Sequence, residues 1–274
     1  MFFFLIAAAA VVAVGLICLF LFINGLPAIA EIGLGNFITG GSWAPSDLPP
    51  GFGIFPMIMG SFYITLVALV FGVPTGILTA VFMARFCHKR LYALIKPAVN
   101  LLAGIPSIVY GFFGMMTIVP AARRLFGGNG ASILSAGLLL GIMILPTIIG
   151  ISETSIRAVP DYFYEGGRAL GASHERAVFF AQMPAAKSGV LAAVILGIGR
   201  AVGETMAVIM VAGNQARLPQ SLFRGARTLT ANIVIEMSYA SGLHRGALIA
   251  TGVVLFVIIL IINLLFSIIL RRKM

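Results

Sequence analysis

One arginine and one glutamate stand four residues apart inside an otherwise apolar stretch of the chain. Arg200 and Glu204 belong to residues 189–213. Arg200 lies about eleven residues into that stretch, hence near mid-bilayer at ~1.5 Å per helical residue. An arginine at that depth costs on the order of 3 kcal/mol, and intramembrane ionisable residues are functional by default. If the stretch is one helix, Glu204 lies one turn beyond Arg200 on the same face.

These two side chains have the chemistry of an anion site. A guanidinium presents a planar fork of donors that fits an oxyanion, and it does not lose its charge. Glu204 can orient that fork. It can also select the anion, because a carboxylate accepts a hydrogen bond from protonated phosphate and repels unprotonated sulfate. The structural alternative is a self-neutralising ion pair, but the basic residue comes first, which is the weaker order for helix stability.

The composition shows that a membrane surrounds these charges. Of 274 residues, 60% are apolar and 9% charged, whereas soluble domains carry about 25% charged residues. The apolar residues form six blocks, each close to the ~20 residues that cross a bilayer. We predict an all-α polytopic membrane protein with a single transmembrane domain over residues 1–274. The predicted spans are 2–26, 56–84, 97–119, 132–151, 189–213 and 247–270.

The distribution of basic residues predicts the orientation. With a cytosolic N-terminus, eleven basic residues fall on the inner side and six on the outer side. The positive-inside rule then predicts that both termini are cytosolic. The net charge of +10 forms no continuous stripe, so we expect no nucleic-acid binding. The first block exceeds the ~7–15 apolar residues of a signal peptide, and we expect a retained span, with a cleaved signal as the alternative.

The histidines and cysteines do not have the spacing of a metal site. The chain has three histidines and two cysteines, and they lie in separate segments without a metal-binding motif. We expect no metal and no cofactor, and we assign no chemistry to the histidines. An intramembrane enzyme would need a nucleophile or metal constellation, and the sequence has neither.

Glycines in small-xxx-small spacing predict two faces for close helix packing. Gly137 and Gly141 fit ordinary packing inside the bundle. Gly199 and Gly203 adjoin the charged face of the fifth span. A helix of a second permease subunit can approach Arg200 there.

Residues 152–188 form the longest segment on the predicted cytosolic side. Asp161 after Pro160 predicts a helix over 162–170 that ends at Gly171. Ser173 predicts the cap of a second short helix that stops before Pro184. Such a hairpin either docks on a protein through its aromatic residues or lies on the lipid headgroups, and the physics favours neither.

This segment resembles the EAA loop of ABC importer permeases. That loop has Glu-Ala-Ala, three residues, Gly, nine residues and Ile-x-Leu-Pro. The positions that match it here in residue or spacing are Glu165, Gly166, Gly167, Gly171 and Pro184. Glycines replace both alanines, and Ala181 and Met183 replace the isoleucine and leucine. The resemblance implies the type I ABC importer permease fold, with this loop as a coupling loop on a cytosolic ATPase subunit.

The fifth predicted span resembles that of phosphate permeases of the PstC type. The likeness covers residues 199–208 and continues in 227–232 and 241–244. It implies phosphate transport in which Arg200 and Glu204 take part. It also implies a PstA-type permease partner, a PstB-type ATPase dimer and an extracytoplasmic phosphate-binding protein. ATP is hydrolysed in a separate subunit, since this chain has no GxxxxGK[ST] motif.

Two alternatives stay within transport: a permease for sulfate or molybdate, and the PstA-type companion subunit. A membrane scaffold is a further alternative, but it would have no use for Arg200. The predicted outer loop with Arg217, Arg224 and Arg227 either attracts anions and meets the binding protein or is an ordinary solvated loop.

Overall fold

The computed structural model describes residues 2–271. Two basic residues of the predicted inner set, Arg272 and Lys273, lie outside the described residues. The helices are α1 Phe2–Ile32, α2 Leu34–Thr39, α3 Phe55–Val81, α4 Lys89–Gly104, α5 Ser107–Phe113, α6 Val119–Phe126, α7 Ile133–Arg157, α8 Asp161–Ala169, α9 His174–Ala177, α10 Met183–Ala185, α11 Lys187–Gly203, α12 Met206–Val211, α13 Leu229–Glu236 and α14 Gly242–Arg271. Turns of π-helix over Phe82–Phe86, Gly114–Ile118 and Val178–Gln182 extend α3, α5 and α9. A short antiparallel hairpin joins β1 (Trp43–Ala44) to β2 (Gly51–Phe52).

Four helical segments are each long and apolar enough to cross a membrane. They are Phe3–Ile32, Phe55–Phe86, Ile133–Arg157 and Gly242–Phe266. Two bent pairs bring the number to six if each is one span: α4 with the helix from Ser107 to Phe126, bent by 99°, and His174–Ala185 with α11, bent by 72°. The prediction of an all-α membrane protein is confirmed.

Two predicted spans are not the straight helices that hydropathy indicates. The predicted span 97–119 starts too late, because α4 begins at Lys89. The span also bends at Ile105 and Pro106, whose backbone is extended. Pro106 has no N–H to continue the helical ladder. Tyr110 Oη donates to the carbonyl of Leu102 over 2.8 Å, which satisfies one acceptor that the bend exposes. Span 189–213 is also interrupted, since α11 ends at Gly203.

The centre of the bundle is the contact between α3 and α7, which pack along most of their length. Their buried core includes Ile64, Leu140, Met143 and Ile148. The prediction that Gly137 and Gly141 permit close packing is confirmed, because each faces the backbone and side chains of α3.

Gly137 is the position at which this packing is most sensitive. A Cβ atom there would lie 2.4 Å from Val67 Cγ1, so alanine overpacks a rigid contact. We expect Gly137→Ala to destabilise the chain by about 1–3 kcal/mol, measured by thermal unfolding in detergent. The control is Gly150→Ala in the same helix, where nothing lies within 4 Å of the added atom. Equal melting temperatures for the two variants would contradict this account.

Candidate functional site

Arg200 lies against the middle of α7. Its Nη1 atom is 3.5 Å from Thr147 Oγ1, the outer limit for a hydrogen bond. Thr147 is ten residues from Arg157 and fourteen from Ile133, hence about 15 Å and 21 Å from the ends of that helix. The half-buried guanidinium makes no ion pair within the described residues. The site therefore holds an uncompensated positive charge near mid-bundle.

Glu204 directly follows the last residue of the helix that carries Arg200, and among the described residues the two side chains form no ion pair. The helix ends at Gly203, and Glu204 is extended, with ψ at 130°. Its Oε1 accepts hydrogen bonds from the backbone N–H groups of Thr205 (3.2 Å) and Ala207 (3.3 Å). A side chain that satisfies backbone donors locally competes with the helical ladder. The chain breaks there, and a new helix starts two residues later.

The interruptions in the third and fifth spans pack against each other. Gly111 in α5 faces the Cα atom of Ala207 and the side chain of Met210 in α12. Arg200 is close enough to Tyr110 to interact with its phenol electrostatically. Transporters commonly build midplane substrate sites from such discontinuous helices. The two helices that follow the interruptions thus pack together beside Arg200.

One face beside Arg200 has no neighbour from the described residues of this chain. A Cβ atom added at Gly199 or at Gly203 would meet nothing within 4 Å. Leu196 on the same helix is 54% exposed, and Ile108 of α5 is 51% exposed. The packing expected of Gly199 and Gly203 is thus not made within this chain, and a second subunit stays the prediction.

The predicted loop 152–188 is shorter and more helical than the sequence indicated. Its start is wrong, because α7 continues through Arg157. Its first helix begins at Asp161, with Pro160 rather than Asp161 at the capping position. Pro160 suits that position, since proline lacks an N–H and a residue there needs none for the helix. Asp161 instead pairs with Arg85 at 3.1 Å.

The turn between the two short helices matches the prediction. Gly171 has φ +83°, a conformation that favours glycine, and the N–H of Ala172 bonds to the carbonyl of Gly167. Ser173 Oγ accepts from the N–H of Arg176 and caps the second helix. That helix does not stop before Pro184, because its π turn runs on into α10, whose first turn contains Pro184. Proline is tolerated there, as in any first helical turn.

The loop exposes an apolar surface and is fastened to the end of α3. Tyr162, Leu170 and Phe180 are 65%, 91% and 80% exposed. On the other side, His174 packs edge-on against Phe86, with ring centroids 4.7 Å apart, and its Nδ1 is 2.9 Å from Tyr164 Oη. Exposed apolar surface on an anchored element is typical of a site that contacts a protein or a membrane.

The two loop glycines that stand where the EAA pattern has alanines differ in their surroundings. A Cβ at Gly166 would meet nothing within 4 Å, whereas at Gly167 it would lie 3.3 Å from Ala177 Cβ. Glu165 is exposed and lies on the same helix. Glycine at 167 thus lets the two short helices come closer together.

A buried carboxylate network at the α8 end of the bundle was not predicted from the sequence. Glu153 is 1% exposed and accepts from Tyr92 Oη at 2.7 Å, Lys96 Nζ at 2.5 Å and Arg157 Nε at 2.9 Å. Arg157 also donates to the carbonyl of Met83 over 2.7 Å. The network ties α4 and α7 to the π turn that ends α3. Its only sequence signal is that Glu153 lies between Ile149 and Ile156 on the buried face of α7.

A second unpredicted cluster lies at the opposite end, around Glu236. This carboxylate accepts from Trp43 Nε1 at 2.8 Å, pairs with Arg227 and lies 2.9 Å from His244 Nε2. Arg227 is therefore held in an ion pair. It fits neither predicted alternative for the basic loop, which were a surface that attracts anions and an ordinary solvated loop. Burial alone would raise the pKa of Glu236, but the bonds from Trp43, His244 and Arg227 together hold it below the ordinary glutamate value.

Trp43 makes the protonation of Glu236 measurable, because it is the single tryptophan of the chain. The pKa of Glu236 is lower in the folded chain than in the unfolded one. The ionised carboxylate therefore stabilises the fold at pH values above the unfolded-state pKa. This stabilisation is lost as the pH falls through the folded-state pKa. We expect the Trp43 fluorescence of the purified chain to change with a midpoint below about 4.3, the ordinary glutamate pKa. Glu236→Gln is the control and removes the titration. A midpoint above the ordinary value would contradict the assignment.

The fold resembles those of solved ABC importers. It matches a chain of a bacterial alginate ABC transporter, solved in complex with an alginate pentasaccharide-bound periplasmic protein, with a TM-score of 0.67 and 14% identity over 98% of this chain and 94% of that one. It matches a chain of the MetNI methionine ABC transporter with a TM-score of 0.59 and 22% identity over 81% and 94%. The predicted type I ABC importer permease fold is confirmed.

Sequence comparison finds relatives over almost the whole chain. "Probable ABC transporter permease protein YqgH" of Bacillus subtilis is 38% identical over 98% of this chain and 88% of its own length. "Phosphate transport system permease protein PstC" of Mesorhizobium japonicum is 34% identical over 93% and 84%. The profile of the family described as "Binding-protein-dependent transport system inner membrane component" matches residues 72–274. With its spanning helices and these relatives, the chain belongs to this family of membrane permease components and is a transporter subunit rather than an enzyme.

Proposed function

We propose that the chain is the permease subunit of an ATP-driven importer that moves inorganic phosphate across the cytoplasmic membrane. The observation that carries this proposal is the guanidinium of Arg200, held halfway along α7 with no carboxylate partner among the described residues. An uncompensated arginine there is costly unless a passing anion uses it. The PstC name of the Mesorhizobium relative supports phosphate as that anion.

The two charged residues have separate roles in this proposal. Arg200 binds phosphate oxygens through its donor fork. Glu204 accepts backbone N–H groups through Oε1 at the break before α12, so its other oxygen, Oε2, can accept the O–H of protonated phosphate. Sulfate lacks that proton and meets a fixed negative charge. Glu204 thus selects the anion rather than orienting Arg200.

The proposal includes the partners and the orientation. The open face at Gly199 and Gly203 packs on a PstA-type permease subunit. The loop with Glu165, Gly171 and Pro184 docks on a PstB-type ATPase dimer, and the opposite end of the bundle meets an extracytoplasmic phosphate-binding protein. Both termini are then cytosolic, and residues 1–274 act as one transmembrane domain in the lipid bilayer.

Reconstitution with candidate partners in lipid vesicles tests the function. We expect labelled phosphate to accumulate inside the vesicles only with ATP and the binding protein, and we expect excess sulfate or molybdate not to compete. ATP hydrolysis is expected to depend on phosphate in the same way. Preferential uptake of sulfate or molybdate would overturn phosphate as the substrate while leaving the family assignment in place.

A single substitution tests the role of Glu204. Glu204→Gln keeps the shape and removes the negative charge that repels sulfate. We expect the ratio of sulfate to phosphate uptake to rise by about tenfold, equivalent to 1.4 kcal/mol of lost discrimination. Glu31→Gln, at an exposed glutamate near the end of α1, is the control. Normal phosphate transport with sulfate still excluded in Glu204→Gln would end this hypothesis.

A further inference from the structure

We infer that Thr147 is a second hydrogen-bond donor to the transported anion, beside Arg200. The inference rests on the proposed function and adds a ligand from another helix to that site. Its first observation is that the Thr147 hydroxyl acts as a hydrogen-bond acceptor. The threonine accepts from Arg200 Nη1, and a hydroxyl that accepts still has one proton to donate.

The proton of Thr147, like that of Thr65, has no acceptor among the described residues, unlike those of the other threonines in the long helices. Threonines inside helices commonly donate to the carbonyl four residues earlier. Four threonines in the long helices do so, over 2.6–2.9 Å: Thr75, Thr79, Thr154 and Thr251. Thr147 makes no such bond to Met143, and among the described residues its one hydrogen bond is the bond from Arg200.

The position of this hydroxyl fits a ligand that lies between α7 and α11. Thr147 is half-buried, so its side chain is accessible from the space beside Arg200. The contact of 3.5 Å between Nη1 and Oγ1 is long enough for both groups to turn toward one anion. Two donors on separate helices can then hold two oxygens of one tetrahedral anion.

Three other hydroxyls near the helix breaks are already occupied. Tyr110 gives its proton to the carbonyl of Leu102, so it holds the bend between α4 and α5 in place. Thr205 Oγ1 donates to the carbonyl of Gly203 over 3.3 Å. Thr230 Oγ1 donates to the carbonyl of Glu204 over 3.2 Å. These three bonds stabilise the backbone where the helices are interrupted, whereas the proton of Thr147 makes no such bond.

The test measures how much phosphate the reconstituted complex moves for each ATP that it hydrolyses. Thr147→Val keeps the side-chain shape and removes the donor. A hydrogen bond to a charged group contributes about tenfold or more in affinity, so we expect the ratio of phosphate moved to ATP hydrolysed to fall by about that factor. Thr147→Ser retains the hydroxyl and is expected to keep most of the ratio.

The control is Thr154→Val, in the same helix, because Thr154 donates to the carbonyl of Gly150. A variant that assembles poorly lowers uptake and ATP hydrolysis together and leaves their ratio unchanged, so the ratio separates a lost ligand from lost assembly. A ratio in Thr147→Val equal to that of the control would overturn the inference, as would a loss in Thr147→Ser as large as in Thr147→Val. Absence of phosphate uptake by the unmodified complex would instead overturn the proposed function.

Discussion

Arg200→Leu is expected to abolish phosphate uptake by the reconstituted complex. Leucine is favourable in an apolar span, so the chain should insert and fold at least as well as the unmodified one. What it removes is the charge-assisted binding of the anion, and each 1.4 kcal/mol of lost stabilisation lowers the rate about tenfold. We expect loss of the donor fork to lower the rate of phosphate uptake by at least about a hundredfold, which corresponds to twice 1.4 kcal/mol. Uptake of labelled phosphate into vesicles measures it.

Two further variants make this result specific. Arg200→Lys keeps a positive charge but loses the planar fork, so we expect intermediate uptake. Arg124→Leu removes an arginine that is exposed at the end of α6 and leaves the bundle interior unchanged. Uptake at the normal rate in Arg200→Leu would show that no anion depends on this guanidinium. The scaffold alternative predicts that outcome, since a scaffold tolerates leucine at this position.

Hydropathy predicts the number of spans well and their shape poorly. The bend at Pro106 lies in an apolar sequence, so a bent span and a straight one have the same hydropathy. The presence of a proline does not by itself predict a bend, because Pro74 and Pro146 lie inside continuous helices. What differs at Pro106 is that the bend is supported by contacts distant in sequence, such as those of Gly111 with α12.

The proposed anion site was predictable in part, and the limit has a physical cause. The depth of Arg200 follows from counting residues along an apolar block, and the structure places it against the middle of α7. The spacing of Glu204 from Arg200 can be counted in the sequence, but the helix break that turns the Glu204 carboxylate to local N–H groups cannot. Thr147 lies 53 residues from Arg200, so no spacing rule connects the two.

The proposed anion site is connected to both ends of the bundle at the break beside Glu204. Thr230 of α13 bonds to the carbonyl of Glu204, and Glu236 at the end of α13 holds the opposite-end cluster with Trp43. At the other end, α11 follows the loop that carries Glu165 after a bend of 72°. Each end of the bundle is thus linked to the break at Glu204 by one helix.

The second large effect concerns stability and lies at Glu153. Glu153→Ala leaves Lys96 and Arg157 without their shared carboxylate. Removing one partner of a buried ion pair costs about 3–5 kcal/mol because the remaining charge is uncompensated. Since Lys96 and Arg157 are 29% and 45% exposed, water offsets part of this, and we expect the lower end, about 3 kcal/mol. For a chain of this size that lowers the melting temperature in detergent by on the order of 10 °C.

The matched control is the exposed ion pair at the same end of the bundle. Asp161 is 71% exposed in its pair with Arg85, and such pairs contribute less than about 1 kcal/mol. Asp161→Ala is therefore expected to melt within a few degrees of the unmodified chain, since about 1 kcal/mol shifts the midpoint by roughly 2–4 °C. Glu153→Gln retains an acceptor for Tyr92 and should fall between the two. If Glu153→Ala and Asp161→Ala have the same melting temperature, the buried network does not hold α4 and α7 together. The α8 end is then anchored by apolar contacts, such as those of Val99 with Met83 and Ile149.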